Sequence, residues 1–185
     1  MSDWFETLEG LHDHLWDALV QGIVDPNHPA RYLTLATTGP EGWPEARTVI
    51  LRGADQIAGA VSVFSDLHSA KVASLRQNPR AALHVWDAGG RLQLRLTGTV
   101  TIRHGQAVAH IWDQLPSVSR ESYGVAPAPG KPIAAALDYV KSPDPAAFAV
   151  LDCTISSIDV LHQGSVHRRA SFDRTQGWHG QWLVP

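Results

Sequence analysis

Residues 92–97 alternate without a break, with Leu92, Leu94 and Leu96 set against Gln93, Arg95 and Thr97. Successive side chains of a strand point to opposite faces, so this segment has one apolar face for a core and one polar face. It comes after the turn Asp87-Ala88-Gly89-Gly90 and runs on as a strand to about residue 102. Further β-type runs cover 32–37, 47–52, 60–64, 81–86, 148–158, 166–172 and 181–183. Many short strands with few helices predict an α+β chain built on an antiparallel sheet or barrel. Trp4, Leu8, Leu11, Leu15 and Leu19 recur at helical spacing and predict a helix over about 3–21, with Ser2 and Asp3 as N-cap candidates. Other helices are expected over 69–77, stopped by Asn78-Pro79, over 106–114, and over 133–140. No linker or repeat divides residues 1–185, which are read as one domain.

The composition bounds the partners. A net charge of -3 offers no broad basic face for nucleic acid. No apolar run approaches the ~18 residues of a membrane span. Cys153 is the only cysteine, so no intrachain disulfide can form. With an acidic N-terminus unlike a signal peptide, this reads as a cytoplasmic protein. Of the basic residues only Lys71, Lys131 and Lys141 are lysines; the rest are arginines, suited to forked contacts with phosphate or carboxylate.

Two segments carry candidate chemistry. Arg47-Thr48-Val49-Ile50-Leu51-Arg52 places Val49 and Leu51 on one strand face and Thr48, Ile50 and Arg52 on the other, with a guanidinium at each end. It reads either as an edge strand with solvated arginines or as a binding strand. Phe64-Ser65-Asp66-Leu67-His68-Ser69-Ala70-Lys71 joins a strand to a helix start, where free N–H groups, hydroxyls and a lysine would suit a phosphate. A plain Ser N-cap with a surface lysine is the other reading.

These segments, with Leu75-Arg76-Gln77-Asn78-Pro79, Leu92-Gln93-Leu94-Arg95-Leu96-Thr97-Gly98 and Trp112-Asp113-Gln114-Leu115-Pro116-Ser117-Val118-Ser119-Arg120, occur in a familiar order. Over about residues 30–125 the chain resembles the pyridoxamine 5′-phosphate oxidase-like FMN-binding split barrels. The resemblance implies an antiparallel split β-barrel with flanking helices, forming a homodimer with FMN at its interface. It implies that Arg47, Thr48, Val49, Ile50, Leu51 and Arg52 line the flavin, with Arg47 reaching the phosphate. Phe64 and Ser65 would flank the phosphoribityl chain, Lys71 and Ser69 would hold phosphate, and Gln93 would approach the flavin from across the interface.

The chain also departs from the true oxidases of that family. Ala70-Lys71 stands where they carry Arg-Lys, so one phosphate ligand is missing or comes from elsewhere, Arg168 or Arg169 being candidates. Their C-terminal Arg-x-His motif is replaced by His167-Arg168-Arg169. The resemblance therefore implies an FMN-dependent oxidoreductase related to the oxidases, with the small-molecule substrate open. Arg120, Tyr123, Arg168 and Arg169 are the substrate-side candidates, as cations and a phenol that would draw an anion to a flavin face. A non-catalytic flavin-binding stress or sensor protein, or a haem-binding relative using His167 or His179, are the alternatives.

Other signals are discounted. Residues 124–132 mimic a P-loop but have wrong spacing and Pro132 where Ser or Thr must meet magnesium. The ten histidines lack zinc-type spacing with carboxylates or the one cysteine, so no metal site is expected. Ser117, Ser119 and Ser122 have no neighbouring His and carboxylate in sequence for a triad.

Overall fold

The computed structural model describes residues 3–185. The first helix, α1 (Leu8–Val24), starts later than the periodicity suggests. Thr7 is its cap, its hydroxyl accepting from the Gly10 N–H at 3.0 Å. Trp4–Glu6 form a separate 3-10 turn led by Asp3, which makes no side-chain cap bond; Ser2 lies outside the described residues. The turn swings aside because its aromatics have other partners: Trp4 stacks on His14 and Phe5 on His162. Leu11, Leu15, Trp16 and Leu19 are fully buried, as the spacing requires.

The strands are β1 (Tyr32–Thr38), β2 (Pro44–Asp55), β3 (Ala60–Asp66), β4 (Arg80–Asp87), β5 (Leu92–His104), the two-residue β6 (Val125–Ala126) and β7 (Val140–Lys141), then β8 (Phe148–Gln163), β9 (His167–Asp173) and β10 (Gly180–Leu183). The main sheet runs β10-β9-β8-β3-β2-β1-β4-β5, and β5 also pairs with β8. That last pairing closes a six-stranded antiparallel barrel, so β2 is an interior strand between β1 and β3. The long β8 serves both β3 and β5 and then carries the β9–β10 ribbon. Alternation on β5 is as expected: Leu92, Leu94 and Leu96 are buried in the barrel with Leu33, Leu51, Leu83 and Val160. At Gly98 a Cβ would collide with the Thr154 carbonyl, where Ser156 bulges out of the ladder.

Helix α2 (Ala70–Gln77) and α3 (Ala109–Gln114), the latter led in by a 3-10 turn from Gly105, sit where expected. A single further turn, α4 (Ser117–Arg120), comes next. No helix forms over 133–140; the segment is irregular and ends in the small β6–β7 hairpin. Pro127, Pro129 and Pro132 cannot donate to a helix, Gly130 is left-handed at φ 83°, and residues 131–146 are exposed, with no apolar face to bury. No helix among the described residues is long and apolar enough to cross a membrane.

Candidate functional site

Strands β2 and β3 pair from Leu51↔Val63 to Asp55↔Ala60 but not earlier along β2. The ladder opens between Val49-Ile50 and Phe64-Ser65, leaving strand-edge backbone groups of β2 without a β3 partner. The opening is a groove of about 500 Å³, within the range of ligand sites. Its floor is Thr48, Val49, Ile50 and Arg52, one wall is Phe64, Ser65, Asp66, Ser69 and Lys71, and the other is Val118, Ser119, Ser122, Tyr123 and Pro129. A second apolar cluster of Val108, Trp112, Tyr123, Phe148 and Val150 supports that outer wall.

One end of the groove is a compact hydroxyl–ammonium cluster. Lys71 Nζ donates to Ser65 Oγ at 3.1 Å and to Ser69 Oγ at 3.3 Å, and the two hydroxyls lie 3.0 Å apart. Both serines are buried. Ser69 is the N-cap residue of α2, but its hydroxyl makes no capping bond and turns into this cluster instead. Burial, with the nearby Arg47 charge, pulls the Lys71 ammonium below the ordinary lysine range, against the pull of Asp66. An ammonium with a third donor, two hydroxyls and the first N–H groups of α2 form a receptor for an anion such as a phosphate monoester.

At the other end, Arg52 is the extra residue of a β-bulge: Leu51 faces Val63, but Gly53 faces Ser62. A bulge re-aims the side chain it carries; the Arg52 guanidinium lies 5.7 Å from the centroid of the Phe64 ring. Tyr123 stands near it, its phenol pushed up by burial although Arg52 opposes this. Asp66 ties the outer wall to β3. Its Oδ1 accepts from the His68 N–H at 2.8 Å and its Oδ2 from the Gly124 N–H at 2.9 Å. Gly124 is at φ 96°, and a Cβ there would strike the Ser142 carbonyl.

The fold thus brings Thr48, Val49, Ile50, Arg52, Phe64, Ser65, Ser69, Lys71 and Tyr123 to one groove. The other expected residues are not part of this groove's lining in the protomer. Leu51 is in the barrel core. Arg47 does not line the groove but stands close enough to its Lys71 end to act on that ammonium, donating to Thr37 Oγ1 at 2.6 Å and paired with Glu45 at 2.7 Å. Gln93 lies on β5 between Trp86 and Leu161. Arg120 donates to the Leu115 and Asp113 carbonyls at the end of α3 and stands over Trp112. Arg168 covers Phe5 at 4.8 Å and faces Glu6, and Arg169 is forked onto Asp159. Asp66, Val118, Ser119, Ser122 and Pro129 line the groove without having been assigned to the site from sequence. Asp66 had a visible signal as an acid inside the 64–71 segment, and Val118 and Ser119 lie inside the 112–120 segment.

Residues 13–104 match the sequence profile described as pyridoxamine 5′-phosphate oxidase, FMN-binding domain. The chain belongs to the pyridoxamine 5′-phosphate oxidase-like FMN-binding split barrels. FMN is the cofactor that this domain binds. Over 83 residues the chain is 43% identical to a pyridoxine/pyridoxamine 5′-phosphate oxidase of Microcystis aeruginosa. That stretch is 45% of this chain and 36% of the relative, so the chain spans little more than a third of the curated oxidase it matches. The fold is similar to that of a pyridoxamine 5′-phosphate oxidase-related, FMN-binding protein from Nostoc punctiforme, with a TM-score of 0.76 and 26% identity over 94% of this chain and 96% of that one. It is also similar to that of PhzG from Burkholderia lata, with a TM-score of 0.73 and 17% identity over 94% and 91%; at that identity the likeness is of fold.

The groove suits FMN on its own geometry. The ligand's phosphate matches the Lys71, Ser65 and Ser69 cluster. The edge of a planar ring matches the unpaired backbone of β2.

Proposed function

We propose that the chain is an FMN-dependent oxidoreductase of the pyridoxamine 5′-phosphate oxidase-related type, acting on a small molecule in the groove between β2 and β3. The observation that carries this reading is the open ladder before Leu51, with a buried lysine and two serines at one end. Lys71, Ser65 and Ser69 hold the phosphate, and the unpaired edge at Thr48, Val49 and Ile50 orients the ring. Bound FMN supplies the electron-transfer chemistry. Phe64 and Val118 exclude water from the ring's neighbourhood, and Arg52 sets the charge at the far end. Gln93, Arg168 and Arg169 lie outside the protomer's own groove, which supports a homodimer in which they approach the second copy's site.

The test is anaerobic mixing of the FMN-loaded protein with NADH, NADPH or pyridoxamine 5′-phosphate while flavin absorbance is monitored. An oxidoreductase bleaches with at least one donor class and recovers in air. Tight FMN binding with no bleaching by any donor would support the non-catalytic flavin-binding alternative. A Soret band on the purified protein would support the haem alternative.

A further inference from the structure

We propose that Asp66 is a positioning residue of the groove: its carboxylate joins the two walls and holds the outer one against the flavin ring. This rests on the reading that the groove holds FMN with its phosphate at the Lys71 end. Asp66 and its partners belong to one copy of the chain, so the clamp is complete within each protomer, whatever a second copy adds to the groove.

Local geometry aims the side chain. Asp66 Oδ1 accepts from the His68 N–H two residues on, at 2.8 Å, a turn-type bond that fixes the direction of the carboxylate. That leaves Oδ2 for the Gly124 N–H at 2.9 Å, a partner 58 residues along the chain. The Asp66 carbonyl meanwhile accepts from Ser65 Oγ at 3.0 Å and from the Ser69 N–H at 3.2 Å. The backbone of this residue therefore belongs to the phosphate cluster, while its side chain reaches the opposite wall. Asp66 is buried, and a buried carboxylate is costly unless its oxygens are bonded. Both are. Two N–H donors need two acceptor oxygens, which a carboxylate supplies and an amide does not.

Few directed bonds tie the outer wall to the barrel. Among the described residues, the bond from the Gly124 N–H to Asp66 is the only hydrogen bond between residues 116–126 and a barrel strand. The Tyr123 and Gly124 carbonyls accept from the Asp144 and Ser142 N–H groups, which belong to a segment that is itself exposed. The Tyr123 ring packs on Phe148 with centroids 4.9 Å apart. Apolar packing is non-directional, so it keeps the wall close without fixing its register; the bond to Asp66 fixes it. Asp66 is also near enough to Lys71 to favour its ammonium. That second route to FMN affinity acts by charge on the phosphate end, whereas the clamp acts on the ring.

Riboflavin has the same ring and no phosphate, so it separates the two routes. FMN and riboflavin are each titrated, by quenching of flavin fluorescence, into the unsubstituted protein, Asp66→Asn and Asp66→Glu. The first variant removes one of the two acceptors; the second keeps the charge beside Lys71 but moves the oxygens by a methylene. Apparent affinity falls with the fraction of molecules whose wall is in place, so both variants are expected to weaken riboflavin and FMN by about the same factor, about five- to tenfold. Cooperative thermal unfolding and an unchanged oligomeric state are expected alongside. Gly124→Ala drives a Cβ at the Ser142 carbonyl and displaces the same wall with Asp66 intact. It should give the same equal loss, and combined with Asp66→Asn the losses should fall short of additive. Should Asp66→Asn not fold, Asp66→Glu and its double variant with Gly124→Ala carry the test. Riboflavin bound by either Asp66 variant as tightly as by the parent, additive losses, or a loss that tracks a change of oligomeric state would overturn the inference while leaving the FMN reading intact. So would failure of riboflavin to bind the unsubstituted protein, because the ring would then contribute nothing for the wall to hold. Failure of FMN itself to bind would overturn the reading beneath it.

Discussion

Replacing Lys71 by methionine removes an ammonium while keeping most of its stem. In the structure two of the three Nζ donors are engaged by Ser65 and Ser69, at 3.1 and 3.3 Å, so one remains to meet a ligand phosphate. A hydrogen bond to a charged group contributes about 1.5–3 kcal/mol, which corresponds to a rise in the FMN Kd of about 10- to 150-fold. The lower half of that range is expected, because the Ser65 and Ser69 hydroxyls are then released to turn toward the phosphate. Quenching of FMN fluorescence on titration with protein measures it. The pH dependence adds a second check. Protonated lysine binds the phosphate, and burial holds Lys71 below the ordinary lysine range. Affinity of the unsubstituted protein should therefore start to fall with rising pH before the usual lysine value of about 10.4, while the methionine variant is flat in that window. A Kd unchanged within about a factor of two would refute the assignment of Lys71 to the phosphate.

Three further outcomes are expected from the packing. Cys153 is buried in the barrel, and burial pushes its thiol up to about 12, so a disulfide reagent should leave the native protein unlabelled at neutral pH and label it fully in denaturant. His162 is buried between Phe5 and Trp4 with Nδ1 unsatisfied, and burial, with Arg168, Arg91 and His14 nearby, lowers its pKa although Asp3 opposes. The folded state then binds fewer protons than the unfolded one below about pH 6.5, so stability falls as pH drops from about 7 to 5. His162→Phe should make that fall in Tm shallower, and an unaltered slope would rule His162 out as its cause. Gly98→Ala places a methyl group against the Thr154 carbonyl and should lower stability by about 1–3 kcal/mol in urea, whereas a neutral result would show that the β5–β8 crossing can spread.

The barrel was legible because its strands are half-buried: β5 and β2 alternate, and alternation survives any tertiary context that covers one face. The groove's cofactor end was legible because Ser65, Ser69 and Lys71 lie within seven residues, close enough for local geometry to bring them together. Arg52 was legible as a residue of the site, but its exposure at the far end depends on a bulge, and nothing in 47–52 signals where a ladder slips. Residues 133–140 misled because Ile133, Ala134 to Ala136 and Leu137 favour a helix locally, yet no surface is there to receive it. The roles of Arg47, Arg120 and Arg169 depend on partners such as Glu45, the Leu115 carbonyl and Asp159. Composition does not distinguish an arginine committed to such a partner from one held ready for a ligand.

Every role proposed for the groove depends on where FMN lies, and a crystal structure of the FMN-bound protein measures that directly. It should show the phosphate within hydrogen-bonding distance of Lys71 Nζ, Ser65 Oγ and Ser69 Oγ, with the ring edge along the unpaired stretch of β2. A flavin bound away from the β2–β3 opening, or a phosphate held by other residues with Lys71 untouched, would contradict it.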